Sequence, residues 1–337
     1  MKRYAIRTTG DVTILDLNEA PMPLPGPGEV RLRMRAASLN RGEFIAGHGL
    51  HGGAGAKPAG IEGAGEVDAL GAGVTGVSPG DRIMGRCSGA FAEYALIQAA
   101  EALPVPPRLS WEQAGCASLV YMTVQDMLIG QGRLRAGEWL LVTGVSSGVG
   151  VAAVQVGHAL GAKLIGTSGS AEKLARLKPL GLDAGILTAR SGGQGNAAQG
   201  NAARFRDEVM RLTGEQGVNL IVNNVGGSVF AECIRCLAFE GRLATVGYVD
   251  GVMKGEIDIE ALHARRLQLF GVSNKLRSPA ERAANVRGFV ADLLPLIAGG
   301  RITPVIDRVF DFAELPEAKR YMESNAHLGK IVVRIGG

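Results

Sequence analysis

The 337-residue sequence is short of several things, and each shortage closes off a class of protein. Aromatic residues make up only 5% of the chain and Cys occurs four times. Four cysteines are too few for a disulfide framework at this length, so reduced thiols and an aliphatic core are expected. No stretch of about 18 uninterrupted apolar residues appears, so no segment reads as a membrane-spanning helix. The N-terminal MKRYAIRTTGDV carries charge but no apolar run of signal-peptide length, and a cytoplasmic protein is expected. A net charge of +4, dispersed without a long Lys/Arg block, gives no footprint for nucleic acid or an anionic membrane.

What is plentiful is glycine: 50 residues, roughly twice the usual ~7% share, which implies many tight turns. Hydrophobic residues reach 46%, enough for a large core, and the length suits two domains of about 100–200 residues each. Residues 1–100 read as short strands (KRYAIR, VTILDL, EVRLRMRAASL, GEVDAL, DRIMGR, FAEYALIQ) punctuated by Pro- and Gly-rich connectors. From Trp111 the pattern turns helical over WEQAGCASLVYMTVQDML and then alternates strand with helix, which implies a parallel sheet with right-handed crossovers. The last 60 or so residues return to helix and strand and end in GKIVVRIG, a tail able to rejoin the N-terminal β region. Between Ala189 and Phe205 the unit QGNAA occurs twice in tandem, far too short for a solenoid, and is expected to be a surface insertion.

The stretch LVTGVSSGVGVAAVQVGHALGAKLIGTS, residues 141–168, holds the chemistry. A strand empties into a Ser/Gly turn, a helix begins, and backbone N–H groups at that helix N-terminus suit a phosphate. The pattern departs from G-x-G-x-x-G, because Val145 and Ser147 hold the first two glycine places before Gly148 and Gly150. An ordinary tight turn is the other reading, but the strand–turn–helix–strand setting favours a dinucleotide pyrophosphate. The second strand then ends in Gly166-Thr167-Ser168, with Lys173 a turn later. With two hydroxyls, a cation and no carboxylate there, the strand end suits a 2′-phosphate, so NADP(H) is expected over NAD(H).

With these features in place, the sequence resembles the medium-chain dehydrogenase/reductase superfamily, in its zinc-independent quinone oxidoreductase branch. The resemblance is carried by AASLNRGEF, EGAGEVDALGAGVTGVSPGDRI, AFAEYALI, the SSGVG turn with HALGAKLIGTSGSAEKL, VNNVGG, GRLATVGY and GKIVV, in that order. It implies an α/β protein: a GroES-like β-barrel domain for substrate, expected at 1–118 and 280–337, and a Rossmann doubly wound parallel sheet at 119–279, with a cleft for nicotinamide. In the superfamily's zinc alcohol dehydrogenases a Cys lies where this chain has Asn40, and a His where it has Ile61 before Glu62. Nor does a four-cysteine lobe follow DRIMGR, so neither zinc site can be assembled and no metal is expected. Cys233 and Cys236 form C-x-x-C on a predicted helix without a second ligand pair and read as buried thiols, while His48 and His51 fall in a Gly-rich loop.

Carried over residue by residue, the resemblance implies that Ser147, Gly148 and Val149 meet the pyrophosphate, and Ser168 and Lys173 the adenosine phosphate. Asn224 falls on the adenosine ribose side. Gly247, Tyr248, Phe270, Gly271 and Val272 edge the nicotinamide ribose and ring, Thr123 lies near the cofactor, and Lys330 reaches back to a phosphate. Asn40 lines the nicotinamide end and orients the amide or the substrate carbonyl, with an Asx-type turn as its other reading. Tyr121 is a candidate proton donor, but a core tyrosine is the favoured reading and no general acid is assigned. Where NADPH-binding members carry Tyr at the end of the third strand, this chain has Thr188, with Arg190 following as a substitute. Three readings stay open: an NADPH-dependent quinone or enone/enal reductase acting on a small electrophile, a reductase of another carbonyl or an enoyl thioester, and a nucleotide-binding protein with little turnover. The apolar segment LQLFGVS is expected to be a sheet edge through which two chains form a homodimer.

Overall fold

The computed structural model describes residues 1–10, 12–45, 55–188 and 204–336. The described chain divides into two compact units, Met1–Met122 with Lys275–Gly337, and Thr123–Asn274. His48, His51, Arg190 and the QGNAA repeat lie outside the described residues.

The first unit is built on strand Glu29–Ser38, in which alternate residues Val30, Leu32, Met34 and Ala36 are buried. It pairs antiparallel with Gly63–Leu70, Tyr94–Gln98 and Lys330–Arg334, within a curled sheet of eight strands. A smaller antiparallel sheet, Val12–Glu19, Lys2–Thr9 and Lys57–Pro58, joins it through an Arg3–Ala92 bridge. The C-terminal strand therefore closes a core begun by the N-terminal ones, with Ile6, Leu32, Phe91 and Val333 in one cluster. Register does the positioning here. Val332 stands opposite Ser38, so Lys330 is brought opposite Asn40, and the Ala37–Gly63 pair sets Glu62 beside Ser38.

The predicted helix over 111–128 is broken into Trp111–Ala114 and Ser118–Val124, followed by a wide turn in which Gln131 N–H reaches Asp126 C=O (2.8 Å). Gly115 causes part of the break: a Cβ there would lie 2.9 Å from the backbone and side chain of Ala36. The other part is electrostatic, because the Leu119 N–H is taken by the Glu62 carboxylate (2.8 Å).

The second unit is a six-stranded, all-parallel sheet. Its strands Trp139–Thr143, Lys163–Ser168, Ala184–Leu187, Val218–Asn223, Leu237–Thr245 and Gln268–Gly271, first to sixth in chain order, lie in the order 3-2-1-4-5-6. The chain thus winds one way from the first strand and the other way from the fourth, which puts helices on opposite faces and opens a crevice between strands one and four. Helix Gly148–Ala159 packs on the first two strands and buries every residue from Gly150 to Gly157, as an all-round apolar helix must. The helix Arg206–Leu212 was not expected from the sequence. It inserts Val209, with the preceding Phe205, into the core of this sheet.

Candidate functional site

The turn after the first strand is shaped by close packing. Gly144 takes a positive φ of 58°, and a Cβ on Gly150 would meet the Val145 carbonyl oxygen at 2.5 Å. Ser147 caps helix Gly148–Ala159: its Oγ accepts from Gly150 N–H (3.0 Å), and its own N–H donates to Gly144 C=O (3.1 Å). Gly148 and Val149, the first two residues of the helix, precede its first intrahelical N–H donors and are half-exposed. Two N–H groups at the positive end of a 12-residue helix fit the pyrophosphate of a dinucleotide.

The neighbouring strand ends complete this edge. At the second, Ser168 Oγ accepts from Ser170 N–H (3.2 Å), and Ser170 in turn caps the helix that carries Lys173 (3.3 Å), which brings Ser168 and Lys173 to one turn. Thr188 N–H binds the Ser168 carbonyl (3.0 Å). After the fourth strand Asn224 Nδ2 donates to the Thr143 carbonyl (3.0 Å), so this side chain braces the first strand to the fourth. Gly247 and Tyr248 follow the fifth strand, and Phe270, Gly271 and Val272 close the sixth, where Val272 N–H donates to Thr245 C=O (3.0 Å). All of these fall at carboxyl ends of parallel strands, the edge at which such sheets bind ligands.

Sequence reading missed the residues behind this edge. Asn223, fully buried, accepts from Val225 and Gly226 N–H (3.0 and 3.1 Å) and from Thr143 Oγ1 (3.1 Å), while Thr167 Oγ1 accepts from Gly144 N–H (3.3 Å). The available signal was a Gly, Thr or Asn directly after a β-branched run.

The first unit holds a second cluster. Glu62 is 0% exposed and Lys330 6%, and their charged atoms stand 2.7 Å apart. Glu62 Oε1 also accepts from Asn40 Nδ2 (3.0 Å) and from Ser38 Oγ, and its Oε2 from Ser118 Oγ (3.2 Å) and Leu119 N–H (2.8 Å). Burial alone would raise this carboxyl, but the Lys330 charge and hydrogen bond, with those from Ser38 and Leu119, hold it below the ordinary carboxylate value. Lys330 Nζ donates further to Asn40 Oδ1 (2.8 Å) and Leu39 C=O (3.1 Å).

One expectation is corrected by this geometry. An ammonium has three donors, and all three of Lys330's are spent on Glu62, Asn40 and Leu39, so none remains for a cofactor phosphate. Tyr121, at 1% exposure, is among the largest fully buried side chains, which supports its reading as a core tyrosine. Thr123, two residues on, is half-buried. Asn40 does not cap the short helix Arg41–Phe44; its amide is turned to Glu62 and Lys330.

Cys233 and Cys236 are buried in helix Phe230–Cys236, and burial pushes both thiols up, Cys236 to about 12. Among the described residues no three His, Cys, Asp or Glu side chains gather as a metal-ligand set. No helix among them is long and apolar enough to cross a membrane.

Comparison with known proteins agrees with this architecture. Residues 26–107 match the alcohol dehydrogenase GroES-like domain, and residues 197–333 the zinc-binding dehydrogenase domain. Among curated proteins, the highly reducing polyketide synthase ALT1 of Alternaria alternata is 31% identical over 82% of the chain. The spectinabilin polyketide synthase system protein NorB of Streptomyces orinoci is 30% identical over 98%. The chain spans only 10% and 14% of the length of these relatives. Among solved structures, a mycobacterial protein complexed with NADPH superposes with a TM-score of 0.86 at 26% identity, covering 99% of both chains. An NAD-dependent alcohol dehydrogenase gives 0.84 at 29% over 100% of both, and a quinone oxidoreductase of Pseudomonas syringae pv. Tomato DC3000 gives 0.83 at 26% over 99% of both. With both domain models in order along the sequence and the fold shared over its full length, the chain belongs to the medium-chain dehydrogenase/reductase superfamily.

Proposed function

We propose that the protein is an NADPH-dependent reductase that delivers hydride to a quinone or an activated enone or enal without a zinc ion. The observation that carries this reading is the carboxyl-end edge of the parallel sheet. There the N–H groups of Gly148 and Val149 lie at the start of the helix after the first strand, and the second strand ends in Ser168 without a carboxylate, with Lys173 on the helix that follows. NADPH, when bound, supplies the hydride. The two N–H groups hold the pyrophosphate, and the Ser168 hydroxyl and Lys173 ammonium favour a 2′-phosphate over a bare ribose. Gly247, Tyr248, Phe270, Gly271 and Val272 edge the nicotinamide side. Asn40 orients the substrate carbonyl and donates to the oxygen that gains negative charge. The mycobacterial protein solved with NADPH and the Pseudomonas quinone oxidoreductase support the cofactor and the acceptor class.

Zinc independence is supported by Asn40 and Ile61 at the positions where the superfamily's zinc enzymes carry Cys and His, and by Lys330, whose ammonium binds Asn40 Oδ1. Elemental analysis of the purified protein should find no stoichiometric zinc, and EDTA should leave turnover unchanged. One zinc per chain would overturn this part.

A second reading is favoured by the polyketide synthase relatives: reduction of an enoyl thioester. Following NADPH oxidation at 340 nm across quinones, enones, enals and acyl-CoA esters separates the two. Turnover confined to enoyl-CoA esters selects the thioester reading, and tight NADPH binding with no turnover on any acceptor refutes both.

A further inference from the structure

We propose that Lys330 and Glu62 are positioning residues, whose buried ion pair fixes the orientation of the Asn40 side-chain amide. The inference rests on the placement of Asn40 in the reacting site proposed above.

An asparagine amide has two flips of nearly the same shape, which present a donor or an acceptor at the same point. Only its neighbours choose between them. Here the choice is forced by charge. Lys330 can only donate, so Oδ1 must face it, at 2.8 Å. Glu62, held ionised, can only accept, so Nδ2 must face Oε1, at 3.0 Å. The reversed flip would set an NH2 against an ammonium and a carbonyl oxygen against a carboxylate inside a buried cluster. The remaining Nδ2 hydrogen makes a long hydrogen bond, 3.4 Å to the Ser38 carbonyl, which a closer oxygen acceptor can displace. The pair has little net charge to offer a transition state. Its effect is to keep a donor, and not an acceptor, where negative charge develops.

The cluster is also rigid. Glu62 is tied to strand Glu29–Ser38 through Ser38, to helix Ser118–Val124 through Ser118 and Leu119, and to the C-terminal strand through Lys330. Asn40 is thus held by elements 22 and 290 residues away in the chain, and not by its own turn.

The test is a mutant cycle on the whole protein with the best acceptor found. Its variants are Asn40→Ala, the charge-neutral pair Glu62→Gln with Lys330→Met, and all three substitutions together. Removing both charges at once leaves no buried charge unpaired, so the fold should persist. Asn40→Ala should lower kcat at least tenfold. The neutral pair should lower kcat nearly as much, with the NADPH Kd within threefold of wild type. The triple variant should be no slower than Asn40→Ala alone within threefold, because nothing is left to position. A triple variant whose loss equals the product of the other two would show a merely structural role and overturn the proposal, as would a neutral pair of wild-type kcat. Wild-type kcat in Asn40→Ala alone would instead remove the site on which the proposal rests.

Discussion

Substituting Gly150 by Ala adds a single methyl group at the tightest point of the strand-to-helix turn. That Cβ would lie 2.5 Å from the Val145 carbonyl oxygen, 2.7 Å from its carbon and 2.8 Å from its Cα, all backbone atoms. Val145 cannot yield: it is fully buried, its N–H is bonded to Thr167 C=O (3.0 Å), and its methyls pack on Gly166. The helix start must therefore move, carrying with it the N–H groups of Gly148 and Val149. Overpacking of this kind costs about 1–3 kcal/mol, against which helix propensity returns at most about 1 kcal/mol. The unfolding midpoint should fall by up to roughly 10 °C. Losing one hydrogen bond to a charged phosphate, about 1.5–3 kcal/mol, should weaken NADPH about tenfold to hundredfold. Gly157→Ala, on the same helix, is the control: its Cβ meets only the movable methyls of Leu164 and Leu140, at 2.8 and 2.9 Å, so NADPH affinity should stay near wild type. Scanning fluorimetry with fluorescence titration of NADPH reads both effects. Wild-type affinity in Gly150→Ala, or an equal loss in Gly157→Ala, would refute the reasoning.

Titration of both cofactors should show NADPH bound at least tenfold more tightly than NADH, about 1.4 kcal/mol, with the gap collapsing in Ser168→Ala/Lys173→Ala; equal affinities in wild type would remove the argument from that strand end. Gln268–Gly271 is the terminal strand of its sheet, with Leu269 and Phe270 half-buried, so light scattering at micromolar concentration should give the mass of a homodimer and Leu269→Lys should split it. A wild-type monomer would end that expectation. Because the Glu62 carboxyl is held below its ordinary 4.5, its stabilisation is complete above that value and is lost as pH falls through the lower folded value. The melting difference between wild type and Glu62→Gln, about 3–5 kcal/mol from leaving Lys330 unpaired, should be constant between about pH 6 and 8 and close in acid; a gap that widens below pH 4.5 contradicts the assignment.

Much of the carboxyl-end edge of the parallel sheet is legible in sequence because its signals are local. The β-branched run ending in Thr143, the capping Ser147 and the apolar Gly150–Gly157 stretch each report on a few neighbouring residues. Gly144, whose positive φ helps turn the chain, stands one residue before the G-x-G-x-x-G places and carries no pattern signal of its own. The apolar pattern over 111–128 continues across a break that only Ala36 and Glu62, brought from elsewhere, impose.

By itself the sequence determined the alternation of strands and helices, the Ser-capped strand-to-helix turn, the absence of a carboxylate at the second strand end and the apolar character of the last strand. Each is set by spacing, turn chemistry or side-chain type within a dozen residues. Tertiary structure alone decided the partner of Lys330. The residue lies 268 positions from Glu62 and 290 from Asn40, and it reaches them because Val332 pairs with Ser38 across two antiparallel strands. A one-residue slip of that register would turn Lys330 to the other face of the sheet, and no local pattern in GKIVV encodes which carboxylate waits there.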